Sequence, residues 1–336
     1  MSGSSAVAAA FFRRRNSWKP LEICFWIVSV GVAFLLPAQQ LLLSEIAILA
    51  LFSVSLDLIV GYVGVLSLGH AAFFGAGAYA AGLFALHVSP EPLTGLVAAG
   101  LLAGVLGLLT SFLVLRGSDL TRLMTTFGVS MLLAEAANQA AWLTGGADGL
   151  SGIVIDPIAG LFEFDLWGRT GYLYSLGVLF LLMLAARRLV HSPFGLSLKA
   201  IKHNPRRAAM LGIGANRRIV VIYTISALYA GMAGGLLAQT TSFVSPDVLA
   251  FHRSADVLLV LVLGGVGYLY GGIVGAVVFT LLRAWLSVVT PQYWMFWIGL
   301  ILVGLVLIGR DRLNLRFLFR RLRPASRTAE LAREQA

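Results

Sequence analysis

What most constrains this chain is a succession of apolar runs, each about as long as a membrane is thick. A helix crosses roughly 30 Å of hydrocarbon with about 20 mostly apolar residues. Such runs lie near 21–37, 41–61, 64–87, 93–115, 123–143, 171–190, 219–242, 255–268, 271–289 and 293–309. They predict an all-α polytopic membrane protein of about ten transmembrane helices, two of them short. Each run is longer and less alternating than the ~10-residue strands of an outer-membrane barrel, so helices must satisfy the backbone polar groups in lipid. With 59% hydrophobic and 12% charged residues, the chain has no composition for a water-soluble domain.

The net charge of +10 is not spread evenly, which argues against nucleic acid as a partner. With ten crossings, 22 of the 25 Lys and Arg fall on one side: the first 20 residues, Arg116 and Arg122, the 187–218 segment and the tail from Arg310. The positive-inside rule makes that side, with both termini, cytoplasmic. The opposite loops carry Glu91, Asp148, Asp156, Glu163, Asp165 and Asp247 against only Arg169 and Arg253. Parity requires an odd number of crossings between the outer loop at 243–254 and Arg310, so the short runs in 255–289 count. The expected organisation is a basic cytoplasmic N-terminus at 1–20, a transmembrane domain at 21–310 and a basic tail at 311–336. No small-residue cleavage site follows the first run before Pro37, which is read as a retained span. Cys24, the single cysteine, lies in that span and forms no internal disulfide. The tail interleaves Leu313, Leu315, Phe317, Leu318 and Phe319 with arginines, a pattern suited to anionic membrane lipid.

Lysine occurs only at 19, 199 and 202, never after a glycine, so the G-x-x-x-x-G-K-[ST] phosphate loop is absent. There is no H-E-x-x-H, no Cys/His cluster and no G-x-S-x-G, which removes the usual supports for a zinc-site or hydrolase reading. Two glycine-dense apolar segments, "GYVGVLSLGHAAFFGAGAYAAG" (61–82) and "VLGGVGYLYGGIVGA" (262–276), mark tight helix crossings or helices broken beside a pathway.

The segment "RRLVHSPFGLSLKAIKHNPRRAAMLGIGANRR" (187–218) holds eight basic residues and no acid. Asn204 suits the cap of a helix that opens on Pro205, and Gly212 and Gly214 supply stops. About eight residues, on the order of 12 Å of helix, lie between. So short a helix is unstable alone in water and must be held by the membrane surface or a partner protein. The residues leave both open, although a small face of Ala208, Ala209 and Gly212 buries little in lipid and suits a protein groove.

Within that segment, "SPFGLSLKAIKHNPRRAAMLGIGANRR" resembles the cytoplasmic coupling segment of permeases of the branched-chain amino acid ABC importers, the LivM type. "GYVGVLSLGHAAFFGAGAYAAGL" and "LTGGADGLSGI" (143–153) resemble two further motifs of that family, and the three keep their order between about 57 and 290. The resemblance implies a type II importer permease fold in the bacterial inner membrane, moving branched-chain or other amino acids. It also implies two cytoplasmic ABC ATPases, a second permease of the LivH type and a periplasmic substrate-binding protein. This chain would bind no cofactor, ATP being hydrolysed by the partner subunits. ATPase coupling carries onto Asn204, Pro205, Arg206, Arg207, Ala208, Ala209, Leu211 and Gly212, and the outer motif onto Thr144, Gly145, Gly146, Asp148 and Gly149 of the 144–170 periplasmic loop. The chain departs from the pattern at Asp57, usually asparagine, at Val65, often glutamine, and at Pro205 and Ala209, where acids are common. Those changes bear on substrate and on ATPase choice.

Six residues are candidates for the translocation pathway. Glu135, Asn138 and Gln139 share a helical face at i, i+3, i+4 spacing. A charge at mid-membrane costs about 2.5–3.5 kcal/mol, so Glu135 faces protein or water. Ser67, Gly69 and His70 shape a gate in the first glycine segment, or else His70 simply bonds a neighbouring helix. Asp57 and Arg283 are intramembrane charges able to pair with each other or, through Arg283, with Asp256. A self-sufficient channel or secondary transporter would explain the broken glycine segments but leaves the basic helix without a purpose, and an intramembrane enzyme on Glu135, His70 or Asp57 lacks a recognised catalytic spacing. A label introduced within 144–170 should react with a membrane-impermeant reagent in intact cells, and protection of that loop would overturn the assigned topology.

Overall fold

The computed structural model describes residues 20–308, apart from 116, 159, 161, 166 and 167. The basic N-terminal stretch and the tail, the latter expected at the membrane surface, fall outside the described residues, except for position 20. Helices occupy every apolar run: α1 (Pro20–Leu35), α2 (Gln40–Val60), α3 (His70–His87), α4 (Pro92–Val114), α5 (Asp119–Gln139), the single turn α6 (Ala141–Thr144), α7 (Arg169–Val190), α8 (Pro193–His203), α9 (Pro205–Met210), α10 (Ala215–Thr241), α11 (Phe251–Gly264), α12 (Leu269–Val289) and α13 (Trp294–Ile308). Five segments, Pro37–Val60, Pro92–Val114, Arg169–Val190, Ala215–Thr241 and Leu269–Val289, are long and apolar enough to cross a membrane on their own. The fold is that of a helical polytopic membrane protein, with two isolated β-bridges among the described residues.

The chain divides into two compact units, residues 1–280 and 281–336. In the second, the described part is the end of α12 and α13, with Trp285, Val288, Met295 and Phe296 exposed. The first unit is built around α10, which packs along α2, α3 and α4. Small residues make this possible. A Cβ on Gly77 of α3 would overlap the backbone of Gly231, and one on Gly234 would overlap the Phe74 carbonyl. On its other flank, Gly231 and Gly235 admit Ala103 and Ala99 of α4. Lipid tails are as apolar as leucine, so association in a bilayer depends on this close contact rather than on escape from water.

Two polar links fix the remaining layers. The Ser226 hydroxyl of α10 donates to the Ser55 carbonyl of α2, and the Tyr172 hydroxyl of α7 donates to the Ser29 carbonyl of α1 at 2.7 Å. At the far end of α7, Arg187 pairs with Glu22 of α1. In contrast, α4 exposes Leu93, Val97, Leu101, Val105, Leu109 and Phe112 along one stripe at three- and four-residue spacing, as a lipid-facing helix does.

Both glycine segments break their helices. The run at 41–61 ends its helix at Val60, and the run expected from 64 begins its helix only at His70, with Gly64 at φ +83°. The second reverses direction at 265–268, where Gly265 and Gly267 take φ of +104° and +84°. There α11 folds back on α12 so tightly that a Cβ on Gly264 would overlap the Gly271 carbonyl and one on Gly275 the Val260 carbonyl. At ~1.5 Å per residue, the 14 residues of α11 fall short of a bilayer's thickness.

Overpacking a close crossing costs about 1–3 kcal/mol or more. Gly234→Leu should therefore lower the apparent Tm in detergent by several degrees, whereas Gly177→Leu, with open space around Gly177, should leave it unchanged. Equal behaviour of the two would show that the α3–α10 crossing does not limit stability.

Candidate functional site

The basic segment folds as two short helices. In α8, Ser192 caps the N-terminus by accepting from the Gly195 N–H at 3.3 Å, and Leu198 and Ile201 turn inward. In α9, the Asn204 side chain accepts from the Arg207 N–H at 3.0 Å and Pro205 opens the helix. The helix ends one turn on: Ile213 N–H reaches back to the Ala208 carbonyl at 3.1 Å, Gly212 N–H to Ala209 at 3.0 Å, and Gly212 takes φ +78°. That glycine-closed end satisfies the last carbonyls and holds α9 to six residues rather than the expected eight.

Capping also decides which side chains α9 presents. Ala208 is buried, so the small face read from the sequence is split, with Ala209 and Gly212 left outside. What projects instead is Met210 and Leu211, 85% and 78% exposed, beside the exposed Arg206 and Arg207.

The segment is anchored to the first helix break. Lys202 Nζ donates to the Gly61 carbonyl at 2.7 Å, and the Lys199 ammonium stands 5.1 Å from the centre of the Tyr62 ring. Beyond the break, the chain is pinned by side chains from remote helices. Leu68 N–H donates to Thr126 Oγ1 of α5 at 3.2 Å, and Ala71 N–H donates to Ser254 Oγ of α11 at 2.9 Å. A Cβ on Gly69 would run into the Thr126 carbonyl. Ser67 is buried, its hydroxyl beside that of Tyr223. His70 is enclosed: its Nε2 lies 2.8 Å from Ser55 Oγ and its ring stacks on Phe52 at 5.5 Å.

Glu135, Asn138 and Gln139 do not join this group. Thr126 and Ser130 are the buried residues of α5, and the three polar side chains turn away from them to an exposed face. There Gln139 Nε2 donates to Glu135 Oε1 at 2.7 Å. The outer motif is more than a surface turn. Thr144, Gly146 and Gly149 are buried, Asp148 is exposed, and Leu150 pairs with Val244 through backbone bonds of 2.9 and 3.0 Å. Gly145, Gly146 and Gly149 all take positive φ, so this bend needs glycine in series.

The sequence reading missed Lys199, Lys202, Tyr62, Gly61 and Gly267 as a set. One signal was available: two of the three lysines sit three residues apart, on one face of one short helix.

The family profile for the branched-chain amino acid transport system permease component matches residues 40–308. The high-affinity branched-chain amino acid transport system permease protein LivM of Escherichia coli (strain K12) is 32% identical over 259 residues, covering 69% of this chain and 60% of its own length. The chain thus spans about 60% of the LivM relatives it matches. The autoinducer 2 import system permease protein LsrC of Enterobacter sp. (strain 638) is 33% identical over 146 residues, 41% of this chain and 43% of LsrC. LivH of Escherichia coli (strain K12) is 31% identical over 108 residues, 32% of this chain and 35% of LivH. No solved structure matches. The chain belongs to the family of branched-chain amino acid transport system permease components.

Proposed function

We propose that this chain is the membrane-spanning permease subunit of an ATP-driven importer for branched-chain or other amino acids. It crosses a bacterial inner membrane ten times, with both termini in the cytoplasm. Its assembly partners are two ABC ATPases, a second permease of the LivH type and a periplasmic binding protein. The permease itself binds no cofactor, and ATP is consumed by the ATPases.

The observation that carries this reading is α9. A six-residue helix with a built cap at each end, projecting Met210 and Leu211 alongside the exposed Arg206 and Arg207, presents an apolar knob beside positive charge. The described residues leave that knob uncovered. Desolvating two apolar side chains in a partner's pocket, with arginines at the rim, is how a small contact gains both affinity and register. The clustering of Lys and Arg supports a cytoplasmic position for α9, where an ATPase would dock.

A solute path is supplied by α5. One face braces the first break through Thr126 and the turn before α11 through Ser130, whose hydroxyl donates to the Leu249 carbonyl, and the opposite face offers Glu135, Asn138 and Gln139. Polar groups of that kind lower the cost of moving a zwitterion through the bilayer when the facing wall is a second permease.

Leu211→Glu places a carboxylate at the knob and keeps the backbone N–H through which Leu211 closes the end of α9. The variant should reach the membrane at normal abundance yet lose co-purification of the ATPases and at least 90% of ATP-dependent uptake, and Arg207→Glu should behave alike. Uptake at the parental rate in both variants would refute the docking role of α9.

A further inference from the structure

Three remote parts of the chain meet at Gly61. Its N–H closes the last turn of α2 on the Asp57 carbonyl at 2.7 Å, and its carbonyl accepts from Lys202 Nζ of α8 at 2.7 Å. No side chain fits here, because a Cβ on Gly61 would run into the Asp57 carboxylate. That carboxylate is fully buried, and its Oδ1 accepts from the Gly267 N–H at 2.7 Å. Gly267 lies in the reversal between α11 and α12, and a Cβ there would stand 3.4 Å from the Gly61 carbonyl. The stem of Lys202 runs past Gly64, where a Cβ would be 3.2 Å away. The α2–α3 break and the α11–α12 reversal are therefore held together at one carbonyl and one carboxylate, and α8 holds the carbonyl.

The chemistry of each link favours transmission of movement. The Gly61 carbonyl belongs to the last turn of α2, where carbonyls lack intrahelical partners and the helix dipole favours a cation. A charge-assisted bond there is strong and directional. Such bonds weaken steeply beyond about 3.5 Å or below about 120°. A displacement of α8 by a fraction of a helical turn must then either break the Lys202 bond or carry Gly61 with it. Asp57 would pass the shift to Gly267.

We propose that Lys202 and Asp57 are positioning residues that transmit displacement of the coupling segment to the two glycine breaks, Lys202 to the first and Asp57 from the first to the second. The proposal rests on the importer reading above, in which ATPases supply the displacement through α9.

The test uses the purified complex of this chain with its co-purifying ATPases in lipid nanodiscs, and needs no knowledge of the transported solute. Cys24→Ser removes the native thiol. Leu66→Cys, at a residue 43% exposed, reports on the first break, and Tyr268→Cys, at one 64% exposed, reports on the second. The maleimide labelling rate of each reporter is compared between the nucleotide-free complex and the complex trapped with ATP and vanadate. In the parental background both rates should change at least threefold. Lys202→Met should abolish both changes and Lys202→Arg should retain them. Asp57→Ala should abolish the change at position 268 alone, and Asp57→Asn, which keeps an acceptor oxygen for Gly267, should restore it. Rates are read on the intact complex recovered by gel filtration, with Lys202→Ala in place of Lys202→Met should the latter not assemble. Reporters that respond in Lys202→Met or Asp57→Ala as in the parent, or that respond in neither background, would overturn the proposal. Failure of any ATPase to accompany the parental chain would instead overturn the importer reading, and this proposal with it.

Discussion

A helix that stops within a membrane leaves amides and carbonyls with no water to bind, and the arrangement of this protein follows from how that cost is met. Each buried group left unpaired costs about 1–3 kcal/mol. Around the break from Gly61 to Gly69, the partners come from Lys202 on α8, Thr126 on α5 and Ser254 on α11. At the reversal after α11, the Gly267 N–H finds Asp57 on α2. None of these donors and acceptors is local, so the breaks exist only while four helices stay packed against them. Glycine serves here because the backbones approach too closely for a Cβ, as at Gly69 against the Thr126 carbonyl.

The same economy separates the outer surfaces. On α4 the exposed stripe is wholly apolar, which lipid tolerates at no cost. On α5 the exposed face carries Glu135, Asn138 and Gln139, with Leu132 and Trp142 nearby at 72% and 87% exposure. A carboxylate facing hydrocarbon is penalised, whereas one facing a second subunit or a hydrated path is not. Two amphipathic demands thus meet on α5: one face supports a helix break and the other supplies polarity to whatever lies across from it. The mutual bond between Gln139 and Glu135 satisfies one carboxylate oxygen and leaves the face polar as a whole.

Much of this was legible in the sequence where the determining chemistry is local. Apolar runs predicted the helices because a membrane span is defined by its own residues. Asn204 and Gly212 predicted the limits of α9 because caps act within a few residues. The rest depended on distant partners. Helical phase alone does not say that Ala208 turns inward, since that is set by what α9 rests on. The outer "LTGGADGLSGI" motif suggested turns, and its inward fold depends on Val244. For Asp57 the sequence offered a charged partner such as Arg283, and the bond it makes to the backbone amide of Gly267 carries no mark in composition.

Asp57 also shows why the joint at Gly61 is not simply a stabilising contact. A carboxylate in the last turn of a helix opposes the dipole, and burying it adds a desolvation cost. An apolar residue would avoid both costs and would leave the Gly267 N–H without an acceptor. An amide would supply the acceptor without the charge. The element common to both choices is an oxygen that reaches from the end of α2 into the α11–α12 reversal. Stability alone would favour the cheaper amide or a repacked apolar contact. A requirement for one acceptor oxygen at one place is what a structure needs when two breaks must move as one.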